Sequence, residues 1–253
     1  MAGVGRGVRL SFAGCGFLGV YQAGALQAFR SHPVAIRAAH GSSAGALVAA
    51  AAVVGVPTEA LLQQFALILG KVRERRLGAL TPGFHLTREL EACLASSLPP
   101  DAHIRATGRL HVSLTTPTFA STVASSFPTR HSLLSALLCS CHIPLYSGPS
   151  LPTHLGKKFM DGGLTDQVPG GPAATRVSPF AGAGKEVSPA EACSPSVTLA
   201  GEEVALTRGN LVRGWHALAG FPPHQGEAYY RQGLADARRF LEVPPSSQAP
   251  GMA

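Results

Sequence analysis

The N-terminal part of the chain alternates short apolar runs with segments of helical periodicity. Residues 8–13 (VRLSFA) are apolar enough for a buried strand, and residues 21–30 predict a helix that ends before Pro33. Residues 34–40 predict a second strand. Residues 41–45 then form a sharp turn into an Ala/Val/Leu-rich segment, whose small side chains would let a helix pack closely against a sheet.

The same alternation continues through the rest of the chain. We predict further helices at residues 58–76, 87–97, 131–141, 210–219 and 227–243. We predict further strands at residues 110–115 and 176–180, and another that ends at Phe159-Met160. Thr58 and Thr87 are candidate helix-capping residues.

These elements indicate a single α/β domain over residues 8–243. Strands that alternate with helices, without an internal repeat or a shift in composition, favour a mainly parallel sheet covered by helices. Residues 183–200 show little pattern and predict a loop. The Pro/Ser-rich tail at 244–253 is typical of disorder.

The composition predicts a compact domain with an apolar surface. Charged residues make up 14% of the chain, against ~25% in an average soluble protein, while 45% of the residues are hydrophobic. The formal charge of +7 fits either a mildly basic soluble protein or attraction to an anionic membrane surface. Nucleic acid is disfavoured as a partner, because the densest basic run, residues 71–76, contains a Glu and no aromatic residue.

Nothing in the chain predicts a segment that crosses a bilayer. The longest apolar stretch, residues 44–56, is too short, and no secretory h-region follows Arg6 and Arg9. The five cysteines are odd in number and lack zinc-type spacing, which favours free thiols in a reducing compartment. We therefore expect an intracellular protein. Its candidate basic patch would comprise Lys71, Arg73, Arg75 and Arg76, although an ordinary solvated helix face explains them as well.

Residues 41–45 (GSSAG) fit the G-x-S-x-G pattern of a nucleophile elbow. In such an elbow a strand turns tightly into a helix, and the serine presents its hydroxyl at the helix N-terminus, where the dipole favours developing negative charge. Gly41 and Gly45 would leave the room that the crowded turn requires. The pattern indicates Ser43 as a nucleophile; an ordinary Gly/Ser turn that caps a helix remains the alternative.

Residues 14–19 (GCGFLG) follow the first predicted strand and match G-x-G-x-x-G. Three interpretations compete: a plain strand-to-helix turn, a dinucleotide phosphate loop, and an oxyanion hole made of backbone amides. A dinucleotide site needs an acidic residue ~20 positions further on. The chain has no Asp or Glu before Glu59, so the dinucleotide interpretation is disfavoured.

Asp161 is the candidate base that a serine nucleophile requires. It lies between an apolar strand end and Gly162-Gly163, where a parallel sheet presents its functional side chains, although alone it also fits a turn. In a Ser-Asp-His triad the histidine follows the aspartate. Only His216 and His224 do so here, and no strong motif surrounds either. The other histidines lack metal-ligand spacing.

The three motifs in this order resemble those of the patatin-like phospholipase family. The segments SFAGCGFLG at 11–19 and LHVSLT at 110–115 are similar to its animal members. The resemblance covers roughly residues 8–243 and implies a three-layer α/β/α fold with a Ser–Asp dyad, in which Ser43 is the nucleophile and Asp161 the base.

The resemblance also implies the rest of the site and the chemistry. Backbone amides of Gly14, Cys15 and Gly16 would form the oxyanion hole. The motif-supporting glycines would be Gly19, Gly41, Gly45, Gly162 and Gly163. The implied activity is cleavage of carboxylic esters of lipids (triacylglycerol, retinyl ester or phospholipid) or acyl transfer to an alcohol, with no metal or organic cofactor.

Residues 183–208 depart from the family pattern. This departure keeps open the alternative of a catalytically weak or silent protein of the same fold that binds a lipid or a lipase cofactor. In either case we expect a cytoplasmic protein that associates peripherally with membranes or lipid droplets.

Overall fold

The computed structural model describes residues 7–191 and 195–242. The strands within these ranges are β1 Val8–Phe12, β2 Ile36–Gly41, β3 Leu110–Thr115, β4 Ser121–Ala124, β5 Thr153–His154, β6 Lys157–Lys158, β7 Met160–Asp161, β8 Thr175–Val177, β9 Ser196–Leu199 and β10 Glu202–Ala205. The α-helices within them are α1 Gly19–Ser31, α2 Ala44–Val54, α3 Thr58–Arg73, α4 Leu86–Ser97, α5 Ala102–Ala106, α6 Arg130–Ser140, α7 Arg208–Ala219 and α8 Pro223–Glu242. The tail predicted to be disordered lies outside the described residues.

The central sheet is mainly parallel, as the sequence predicts. Its strand order is β4-β3-β2-β1-β8, with β3, β2, β1 and β8 parallel and β4 antiparallel to β3. The inner strand β1 is buried at four of its five positions instead of alternating, because helices cover both faces of a parallel sheet. The flanking helices make the fold a three-layer α/β/α sandwich, which confirms the predicted fold class.

Strand β7 brings Asp161 to the place where β2 has ended. The last β2 residue, Gly41, pairs with Val112, and β7 pairs with β3 two residues further along, at Leu114 and Thr115. Since β4 occupies the other edge of β3 at this level, β7 must lie on the β2 side. The sequence predicted a strand ending here, but not that Asp161 lies within it or that it runs antiparallel to β3.

Three local predictions were wrong. Residues 196–199, predicted as loop, form β9 and pair with β10 in a separate hairpin. The run Ser-Val-Thr-Leu alternates polar and apolar residues, a strand signal that the sequence analysis missed, and all four residues are exposed. Thr58 does not cap α3; its hydroxyl accepts a hydrogen bond from Arg30. Thr87 lies inside α4, where its hydroxyl contacts His142 Nδ1 at 2.8 Å.

A capping box that the sequence analysis missed begins α6. The Thr129 side chain accepts from the Ser132 amide, and the Ser132 side chain accepts from the Thr129 amide. Among the described residues, no helix combines the length and the apolar character needed to cross a membrane.

Candidate active site

Ser43 lies at the elbow between β2 and α2. Its backbone has φ 52° and ψ −132°, a conformation that side chains rarely adopt and that tends to mark functional sites. A Cβ at Gly41 would collide with the Gly45 carbonyl, and one at Gly45 would collide with the Phe12 carbonyl. Both positions therefore require glycine, and the serine side chain projects at the start of α2.

Hydrogen bonds from distant parts of the chain hold this elbow. The Ser43 amide donates to Ser140 Oγ at 3.0 Å, and that hydroxyl donates to the Ser113 carbonyl at 2.7 Å. The neighbouring Ser42 hydroxyl donates to the Gln167 carbonyl at 2.8 Å. The strained turn is thus fixed from both sides, as a positioned nucleophile requires.

Asp161 is buried and has one oxygen without a partner. Its amide donates to the His142 carbonyl at 2.8 Å, and its Oδ1 accepts from the Gly163 amide at 2.8 Å. Its Oδ2 has no hydrogen-bond partner among the described residues. Burial raises the pKa of Asp161 from 3.8 to about 6, although interactions with the Ser43 side chain and the Gly163 amide offset part of the shift.

Ser43 and Asp161 therefore meet in one buried site. The Ser43 hydroxyl is close enough to favour the charged carboxylate, yet no hydrogen bond of standard geometry joins its Oγ to Oδ2. Such contacts are often long before a substrate binds. Cys15 and Cys141 are also buried nearby, and burial raises the pKa of both thiols well above 9.0, with the Asp161 charge adding to the shift. Protonated thiols are poor nucleophiles, so neither cysteine is a strong candidate for the reactive group.

The first glycine motif lies against the elbow, and its amides differ in availability. The Gly14 amide donates to the Gln167 carbonyl at 3.0 Å and is already engaged. Within the described part of the chain, the amides of Cys15 and Gly16 make no hydrogen bond, nor does that of Ala44 at the start of α2. Two of the three amides predicted as oxyanion donors are therefore free of other hydrogen bonds among the described residues, and so is the Ala44 amide at the start of the helix that follows Ser43.

The remaining motif glycines pack around these groups. Gly19 begins α1 beside the Phe65 ring, Gly162 faces the Ser113 carbonyl, and Gly163 supplies the amide that holds Asp161. The sequence analysis did not identify Ser140 or Gln167. Gln167 touches the first motif through both its backbone and its side chain, and also holds Ser42. The only sequence signal for it is its position shortly after Asp161.

An apolar pocket opens onto Ser43. Almost all of its lining is carbon. The lining includes Ser43, Leu47, Phe65, Ile68, Leu86, Leu90, Ile143, Tyr146 and Leu218. A second apolar pocket shares four of these residues, Leu47, Phe65, Ile68 and Leu90, and extends between α2, α3 and α4. We call these two adjoining pockets the channel, and Ser43 lies at its outer end.

The two histidines considered for a triad lie on α7 and α8. His216 Nδ1 contacts the Tyr229 hydroxyl at 2.8 Å, and its ring packs against Phe221. His224 lies in the first turn of α8. In the described ranges, neither histidine is hydrogen-bonded to Ser43 or Asp161. In the same ranges, no group of three or more His, Cys, Asp or Glu side chains could hold a metal ion.

A parallel sheet that presents a serine at a strand-to-helix elbow, with a buried carboxyl beside it, is the architecture of α/β enzymes that act on esters. The sequence profile of patatin-like phospholipases matches residues 10–174. The chain belongs to this family, which confirms the resemblance seen in its motifs.

The chain is similar to a phospholipase domain-containing protein and to two acyl-transferring enzymes. Human patatin-like phospholipase domain-containing protein 4 is 37% identical, over 92% of this chain and 96% of its own length. Human 1-acylglycerol-3-phosphate O-acyltransferase PNPLA3 is 37% identical over 94% of this chain and 51% of its own. Human omega-hydroxyceramide transacylase is 35% identical over 92% of this chain and 45% of its own. The chain thus spans about half the length of the last two.

A solved structure has the same fold. VipD from Legionella pneumophila superimposes with a TM-score of 0.51 at 12% identity, covering 94% of this chain and 67% of that one. At this identity the likeness concerns the fold alone.

Proposed function

We propose that the protein is a lipid acyl hydrolase or transacylase that uses Ser43 and Asp161 as a catalytic dyad. The observation that carries the proposal is the buried Oδ2 of Asp161, which has no hydrogen-bond partner in the described part of the chain and lies beside a strained serine at the end of the channel. An unsatisfied buried acceptor costs stability, and such costs are tolerated where a function needs the group.

In the proposed reaction, Asp161 takes the proton from the Ser43 hydroxyl as its oxygen attacks the ester carbonyl. The amides of Cys15, Gly16 and Ala44 stabilise the oxyanion, and the N-terminus of α2 adds its dipole. The intermediate collapses to an acyl-serine, and the protonated aspartate returns its proton to the departing alcohol. Water or an acceptor alcohol then attacks the acyl-serine, with Asp161 again taking the proton, and the serine is regenerated.

The channel supports an ester with a long acyl chain as substrate. Its carbon lining would bury the chain favourably, at about 0.8 kcal/mol for each methylene. Triacylglycerol, retinyl ester and phospholipid all carry such a chain. The names of the acyltransferase relatives support an alcohol as an acceptor besides water. The protein would reach these lipids by associating peripherally, from the cytoplasm, with a membrane or lipid droplet.

A fluorophosphonate probe tests the nucleophile. The folded protein should be labelled, Ser43→Ala should not, and Ser126→Ala, which removes an exposed hydroxyl on another loop, should be labelled like the parent.

Asp161→Asn should lower turnover of a lipid ester by about a hundred- to ten-thousandfold, the usual contribution of a general base. The nearby Asp166→Asn serves as its control.

The result that contradicts the dyad is equally specific. Labelling of Ser43→Ala at the parent level, or loss of turnover in His216→Ala but not in Asp161→Asn, would refute it. Tight lipid binding without Ser43-dependent release of product would instead favour the catalytically silent lipid-binding protein.

A further inference from the structure

A groove with basic and apolar walls lies beside the mouth of the Ser43 pocket. Its arginines, Arg73, Arg75 and Arg76, come from the C-terminal end of α3 and the turn after it. Leu77 and Leu80 belong to the same turn, and the opposite wall is α7. We call this surface the basic groove.

Large apolar side chains are exposed in the basic groove. Trp215 and Leu211 of α7 are 71% and 73% exposed, and Leu77 and Leu80 across the groove are 63% and 60% exposed. Single exposed apolar side chains are common on protein surfaces, whereas clusters of them are not. A cluster of this kind therefore marks a binding surface. Tryptophan in particular favours the boundary between water and lipid, where its ring is buried and its N–H stays hydrated.

The arginines give the basic groove a positive charge, and no acidic side chain of the described residues lines it. Arg73 and Arg76 make no ion pair in the described part of the chain. Arg75 lies with its guanidinium 4.2 Å from the centre of the Phe84 ring. Lys71, the fourth member of the predicted basic patch, is instead paired with Glu89 at 2.6 Å and does not line the groove.

The basic groove and the substrate pocket are neighbours. Tyr146 and Leu218 line both of them, and the Tyr146 hydroxyl donates to the Leu218 carbonyl at 2.6 Å. A surface seated in the groove would therefore lie next to the entrance through which an ester reaches Ser43.

We propose that the basic groove docks onto anionic phospholipid bilayers, with Arg73 and Arg76 at the headgroups and Trp215 and Leu211 inserted at the interface. Arginine charge complements the negative membrane surface, and the apolar side chains leave water. The purpose of this docking rests on the proposed function, because it would deliver lipid esters to the pocket directly.

Vesicle co-sedimentation in a Ser43→Ala background tests the docking without consuming lipid. Phosphatidylcholine vesicles are compared with and without phosphatidylserine, at low and high salt. Arg73→Gln/Arg76→Gln should weaken binding to phosphatidylserine vesicles by roughly fivefold for each arginine, and salt should remove the same contribution. Trp215→Ser should weaken binding to both kinds of vesicle.

The control variants remove the same net charge, and a comparable apolar side chain, at sites outside the basic groove. Arg37→Gln/Arg238→Gln removes two exposed arginines elsewhere, and Ile104→Ser removes an apolar side chain that is 70% exposed on α5. Arg37 lies near the beginning of β2, whereas Ser43 follows its end. Both controls should bind like the parent, and circular dichroism with thermal melting establishes that all variants fold.

Groove variants that bind vesicles as well as the control variants do would overturn the docking surface. Vesicle binding that changes neither with salt nor with the arginine substitutions would also overturn it. A soluble butyryl ester separates docking from catalysis. With Ser43 intact, the groove variants should keep its hydrolysis while losing that of an ester in phosphatidylserine vesicles. Groove-dependent binding without any Ser43-dependent hydrolysis would refute the proposed function and leave the docking surface standing.

Discussion

The surroundings of the Asp161 carboxyl group change both its pKa and its contribution to the free energy of unfolding. The side chain is 4% exposed, and one of its oxygens has no partner among the described residues. Because burial disfavours the charge, the pKa rises from 3.8 to about 6. A carboxylate with this pKa is a better base for a hydroxyl than an ordinary aspartate, and it is still mostly charged at neutral pH.

The pH dependence of turnover should report this shift. Since Asp161 must be deprotonated to act as the base, kcat/KM for a soluble ester should rise with pH, with a midpoint near 6, and level off above it. Initial rates between about pH 5 and pH 8 measure the curve. A midpoint near the ordinary value of 3.8, which would leave the curve flat over this range, would contradict a buried base.

The same shift predicts a pH-dependent effect on stability. Because the folded-state pKa lies above the unfolded one, the folded protein binds more protons between about pH 4 and pH 6, and this group's contribution to stability falls as pH rises through that window. The Asp161→Asn variant has no carboxyl group at this position, so it lacks this pH dependence. The difference in the free energy of unfolding, variant minus parent, should therefore be larger at pH 7 than at pH 4, by up to about 3 kcal/mol. Urea unfolding at both ends measures it, and an unchanged difference would contradict the shift.

Helices α1 and α8 approach each other closely at two glycines. A Cβ on Gly233 would meet the Tyr21 carbonyl, and one on Gly24 would meet the Tyr230 carbonyl. The Tyr21 hydroxyl also donates to Asp236 Oδ2 at 2.8 Å across this contact. Glycine is a poor helix former, so neither position favours it within its own helix. The close approach of the two helices explains why glycine occupies both.

Gly233→Ala should therefore destabilise the protein by about 1–3 kcal/mol, because the helices must separate to accept the methyl group. The control is Gly70→Ala in α3, where an added Cβ meets no atom within 4 Å. That change should be neutral or should stabilise the protein by up to about 1 kcal/mol, since alanine is the better helix former. Urea unfolding compares them, and equal effects would contradict the close approach.

The whole molecule assembles the channel that the proposed substrate would occupy. One half opens onto Ser43, and the other lies between α2, α3 and α4, with Leu47 and Phe65 in the shared wall. No single element contains it. If the acyl chain fills both halves, the inner half limits the chain length that the protein accepts.

Ala50→Leu places a larger side chain in the inner half, which Ala50 lines. Turnover of a palmitoyl ester should fall by about tenfold or more, as for the loss of two or more buried methylenes, while turnover of a butyryl ester should not change. The control is Ala92→Leu, an exposed position on α4. An equal fall for both esters would show damage to the site instead of a shortened channel.

The sequence by itself determined the alternation of strands and helices and the three motifs. These are local properties: apolar runs bury themselves in the sheet, and the turn of residues 41–45 needs glycine on either side of its serines. The resemblance of the motifs to patatin-like phospholipases also named Ser43 and Asp161 as partners, although residues alone left a plain turn open at both positions.

Only the tertiary structure decided what surrounds those residues. Ser140 and Gln167 hold the elbow from positions far along the chain, and nothing in their local sequence announces it. Within the described ranges the Gly14 amide is hydrogen-bonded whereas the Cys15 and Gly16 amides are not, and Lys71 is paired with Glu89. Hydrogen bonding, desolvation and ion pairing depend on which atoms lie close together in the folded protein. A local pattern of apolar and polar residues does not specify contacts between residues that are far apart in the sequence.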